Sequence, residues 1–167
     1  MAFYKQRINV DHSKVKPISM QIWFMQTMFW VLLTVVTFFS LTLWYGSPQW
    51  THITHILVQS VIGVLITTPM HWVYRSLSNS SVATKVSVSF FLVLAGSLIW
   101  TGLRMAAYIW ITEEGDELWG DFGGWYFGSF FIFYCWTAVY FGMFYYHMAT
   151  IERDQRIRVV EKSRCLL

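Results

Sequence analysis

The chain has 167 residues, of which 56% are hydrophobic, 20% aromatic and only 13% charged. Soluble domains carry about 25% charged residues, so the composition excludes an ordinary water-soluble fold and points to a membrane protein. The net charge is a mild +3, and its distribution along the chain says more than its sum.

The first nineteen residues are polar and mixed, and the apolar run behind them is too long for the hydrophobic region of a secretory signal. Residues 1–20 therefore read as a tail. A hydrocarbon core about 30 Å thick takes roughly 20 helical residues at 1.5 Å each. Four stretches qualify, at about 23–45, 55–74, 86–111 and 125–148. Rings such as Trp23, Trp44, Tyr45, Trp72, Trp110, Trp125 and Tyr145 fall near their ends, as an aromatic belt requires. The predicted fold class is all-α: a polytopic four-helix transmembrane bundle over 21–149. Residues 150–167 continue helix four as a basic helical tail, since no Pro or Gly follows Gly142 and Glu152 and Arg156 form an i,i+4 pair.

Lysine and arginine set the orientation. Lys5, Arg7, Lys14 and Lys16 precede the first span, and Arg75 and Lys85 lie between the second and third. Arg153, Arg156, Arg158, Lys162 and Arg164 follow the fourth. The positive-inside rule makes that side cytoplasmic, with both termini on it. The expected location is a bacterial cytoplasmic membrane. The opposite side holds a short loop and an acidic one with Glu113, Glu114, Asp116, Glu117 and Asp121. Both are too short to form a folded extracytoplasmic domain.

Few side chains invite chemistry. Arg104 is the one charged residue inside a span, and such a charge marks a functional site because exposing it to lipid costs several kcal/mol. Its ordinary role would be to reach outward and pair with Glu113 or Glu114. His71 and His147 both fall near the cytoplasmic end, and two imidazoles at one depth on facing helices are what a bis-histidine haem or pigment site needs. Histidines satisfied by water or headgroups are the commoner case. His52 and His55 give only two potential metal ligands, and Cys135 and Cys165 have no partners at metal-ligand spacing. No metal site is expected. The small residues Gly120, Gly124 and Gly128 allow close helix approach, within the bundle or with another chain. Pro69 is expected to kink helix two. With no phosphate loop, no Ser-His-Asp set and no intramembrane carboxylate pair, the chain reads as non-catalytic.

Three segments resemble a known family. Trp23-Phe24-Met25-Gln26-Thr27-Met28-Phe29-Trp30 resembles the Trp-x-x-Gln-x-x-x-Trp opening of LytS/YehU-type bacterial sensor histidine kinases. Thr68-Pro69-Met70-His71-Trp72-Val73-Tyr74-Arg75 is similar to the end of their second helix, and Trp136 to Gly142 with Tyr145-Tyr146 to their exit from the membrane. The resemblance implies a membrane input module whose exit helix leads to phospho-acceptor and ATP-binding segments, which the sequence to Leu167 does not include. His147 does not match the phospho-acceptor motif.

Two functions follow as expectations. One is an accessory or scaffold subunit of a larger membrane complex, such as a respiratory or photosynthetic assembly. The other is the signal-input module of a histidine kinase. The expected partners are membrane lipids and a protein subunit or a second copy, with no nucleic acid. Arg104, Gly124, Gly128, Arg153, Arg156 and Arg158 are the expected contact residues. No cofactor is specified, although the aromatic helices suit quinones or pigments as well as plain lipid contact.

Overall fold

In a bilayer each backbone N–H and C=O must find a partner within the protein, so each apolar run closes into a helix. A computed structural model describes residues 16–46, 50–112 and 116–164. Its helices are α1 (Lys16–Tyr45), α2 (Trp50–Ser76), α3 (Val82–Thr112) and α4 (Phe122–Arg164), with short 3₁₀ turns at Leu77–Asn79 and Asp116–Asp121. The described residues contain no strand. All four helices are long and apolar enough to cross a membrane. The chain is a multi-pass helical bundle in which sequence neighbours pack side by side.

The helices outrun the predicted spans. α1 begins at Lys16, inside the segment read as tail, and Pro17 falls in its first turn, where a missing N–H breaks no hydrogen bond. α1 closes on Gly46, whose φ of +73° suits a residue without a Cβ and whose N–H reaches the Thr42 carbonyl at 3.0 Å. α2 begins at Trp50 and continues without a break through Pro69 to Ser76. Just upstream of that proline, the Thr67 hydroxyl donates to the Gly63 carbonyl and the Thr68 hydroxyl to the Val64 carbonyl, both at 2.8 Å. Ser81 caps α3, accepting the Thr84 N–H at 3.2 Å.

Packing inverts the pattern of a soluble protein. The buried face of α2 carries His55, Gln59, Gly63, Thr67 and His71, each four residues after the last. That of α3 carries Ser89, Val93, Ser97 and Thr101 at the same spacing. Leu57, Val61, Leu65 and Phe91 face outward. Lipid tails are as apolar as leucine, so close packing and interhelical hydrogen bonds, rather than hydrophobic burial, hold such helices together.

Hydrogen bonds converge on α2. Gln26 of α1 donates to the Val64 carbonyl at 3.2 Å and to Thr68 Oγ1 at 3.1 Å. Trp30 Nε1 donates to Thr67 Oγ1 at 3.2 Å, and Trp100 Nε1 of α3 to the Gln59 carbonyl at 2.8 Å. Between α3 and α4, the Thr101 hydroxyl donates to Ser129 Oγ at 2.6 Å. Each such bond adds about 0.6 kcal/mol on average in a membrane interior.

Midway through the bundle, Trp30, Trp100 and Phe133 meet, with ring centroids 5.8 to 6.2 Å apart. Two glycines make room for them. Trp30 lies directly against Gly63, where any Cβ would overlap the indole, and Phe133 lies 3.1 Å from the position a Cβ on Gly96 would take.

α4 has 43 residues. At 1.5 Å each it is roughly 65 Å long, about twice the hydrocarbon thickness. It therefore leaves the bundle as one continuous helix and carries the basic residues of its last turns outward. The predicted extension of helix four is present over the described residues.

Candidate functional site

Two clusters combine buried titratable side chains with aromatic rings, one toward each end of the bundle. Toward the acidic end, α2, α3 and α4 build a cluster around Arg104. Its guanidinium sits between two indoles, 4.5 Å from the Trp100 ring centroid and 4.6 Å from that of Trp125. One terminal nitrogen donates to the Trp125 carbonyl at 3.4 Å, while the buried Nε finds no acceptor. His55 lies alongside, its Nε2 3.3 Å from the Arg104 carbonyl and its ring edge-on to Tyr108 at 5.1 Å.

The expected pairing of Arg104 with Glu113 or Glu114 lies outside the described residues. What the structure does show is a cation sandwiched between ring faces, whose negative quadrupoles attract it by about 2 kcal/mol when water is excluded. Tryptophan spacing carried this signal: Trp100 precedes Arg104 by one helical turn, so both lie on one face of α3.

Toward the basic end, α2 and α4 share a second cluster. His71 Nδ1 lies 3.1 Å from the Tyr140 hydroxyl, and the Tyr74 hydroxyl lies 3.1 Å from Thr137 Oγ1. Tyr74 stacks against Trp136, whose own indole N–H is buried without an acceptor. His147 is not part of this cluster. It follows Tyr140 by seven residues, about 10 Å further along α4, so the two imidazoles proposed as haem or pigment ligands are not brought together. His71 is instead a buried hydrogen-bonding residue. Replacing Tyr140 with Phe is expected to leave that imidazole without its partner and to lower stability by about 1 kcal/mol, read from denaturation in mild detergent.

The remaining predicted residues fall on surfaces. Gly124 and Gly128 are exposed, and a Cβ on either would meet nothing within 4 Å. Packing of these glycines inside the bundle is thus ruled out. Gly63 and Gly96 do that work, and neither has a second glycine four residues away. The signal for them was the four-residue run of small and polar residues on α2 and α3. Arg153, Arg156 and Arg158 are exposed on the free part of α4. Among the described residues, no three potential metal ligands come together. No family model, curated protein or solved structure matches this chain.

Proposed function

We propose that this protein is a non-catalytic accessory or scaffold subunit of a bacterial cytoplasmic membrane, with its basic end in the cytoplasm, and that it associates with a partner through α4. The observation that carries this reading is the exposed surface that helix presents at each of its ends. Its first turns present Gly124 and Gly128 beside the exposed rings of Phe127 and Phe131, and its far end presents Arg153, Arg156 and Arg158. Small residues on a lipid-facing surface let another backbone approach closely, at no cost to the packing already made within the bundle. The excess of lysine and arginine at one end supports the orientation.

The test is stoichiometric capture from native membranes through a tag. Replacing both Gly124 and Gly128 with Leu is expected to release the partner at least in part, and deleting 153–167 to release it further. Association unchanged in both variants would overturn the proposal. The second reading, a kinase-type signal-input module, is favoured by the continuity of α4, which links the bundle interior mechanically to the basic end. A protein that purifies alone or as a small homo-oligomer would favour it.

A further inference from the structure

Between α3 and α4, at the basic end, lies a groove of about 420 Å³. Val82, Ser89 and Val93 line one wall, and Tyr134, Ala138 and Tyr145 the other. The surface is overwhelmingly apolar, no carboxylate lines it, and its one cation is Lys85, whose Nζ lies 6.0 Å from the Tyr145 ring centroid. Ser89, only 8% exposed, stands in the groove wall next to the Tyr74 hydroxyl of α2, its own Oγ shielded from outside contact.

We propose that this groove is a binding site for one anionic phospholipid of the leaflet at the basic end. The dimensions match that occupant. Val82 and Val93 lie eleven residues apart, roughly 16 Å of helix, close to half of a hydrocarbon core about 30 Å thick. The groove thus accommodates an acyl chain of one leaflet rather than a molecule crossing both. At its mouth, Lys85 and the capped N-terminus of α3 at Ser81 offer positive potential to a phosphate. Ser89 stands one turn deeper, about 6 Å below Lys85, where the groove wall turns apolar toward Val93. Charge selects the headgroup, and the apolar walls hold the chain.

The test uses the full-length protein in nanodiscs of phosphatidylglycerol, phosphatidylcholine or an equal mixture of the two, with bound lipids counted by native mass spectrometry after release. The wild type is expected to retain one phosphatidylglycerol from the mixture. Lys85→Glu is expected to reduce retained phosphatidylglycerol by about tenfold and leave phosphatidylcholine unchanged. Ala138→Trp, which fills the groove from an exposed position, is expected to remove both. Equal retention of the two lipids by the wild type overturns the proposal, as does an unchanged count in Lys85→Glu. Release of a quinone or isoprenoid in place of phospholipid overturns it too. None of these readouts depends on association through α4.

Discussion

Replacing Gly63 with Val is expected to lower the stability of the bundle by about 3 kcal/mol, the upper end of what overpacking costs. The cause is local. The Trp30 indole occupies the space a Cβ would need, and Trp30 itself is only 2% exposed. The ring has no easy retreat. Its Nε1 is bonded to Thr67, and Trp100 and Phe133 lie against it. A larger residue at position 63 must therefore drive α1 from α2, which breaks the Gln26 bonds to Val64 and Thr68 as well.

Reversible unfolding in mild detergent measures the loss, and a double-mutant cycle assigns it. On a Trp30→Leu background, Gly63→Val is expected to cost at least 1 kcal/mol less, within the usual coupling range for residues in contact. Equal costs on both backgrounds would mean that the indole does not rest on the glycine. Gly128→Val supplies the contrast. Its Cβ would enter open space, so a change within about 0.5 kcal/mol is expected. The two glycines look alike in the sequence and differ in what faces them.

That contrast marks how far the sequence could be read. Span number and the exit of helix four were legible, because hydrocarbon thickness, backbone satisfaction and helix-breaker placement act through composition alone. The identity of the inward face was harder. Apolar moments fail when both faces are apolar, so the useful pattern was the polar one: His55, Gln59, Gly63, Thr67 and His71 at four-residue intervals. Within the candidate site, Arg104 stood out as a lone intramembrane charge. Its second ring did not, since Trp125 is twenty-one residues away and reaches it only through the packing of α3 on α4. The pairing of His71 with His147 failed for a related reason. Placing two residues near one membrane boundary fixes depth only to within a turn or two, and two turns separate a shared ligand from none.

Removal of Trp125 is expected to expose what stabilises Arg104. In Trp125→Leu the guanidinium loses one of its two ring faces and keeps its burial, with Nε already lacking an acceptor. A loss of about 2 kcal/mol or more should follow, set by the desolvated cation–π contact. Arg104→Leu alone should cost far less, and an increase in stability is the expected direction, because an apolar replacement removes the desolvation of a charge and the groups it leaves behind, two indoles and a carbonyl, are neutral. The decisive measurement is the double variant. With Arg104 already leucine, Trp125→Leu is expected to cost only its packing, so that the two substitutions together are less damaging than Trp125→Leu by itself. A double variant whose change in stability equals the sum of the two single changes would mean that the indoles serve α3–α4 packing alone and leave the cation unsupported. A stable Arg104→Leu protein would also separate function from folding: an effect of that variant on partner capture would then report on the charge itself, in a bundle that no longer has to bury it.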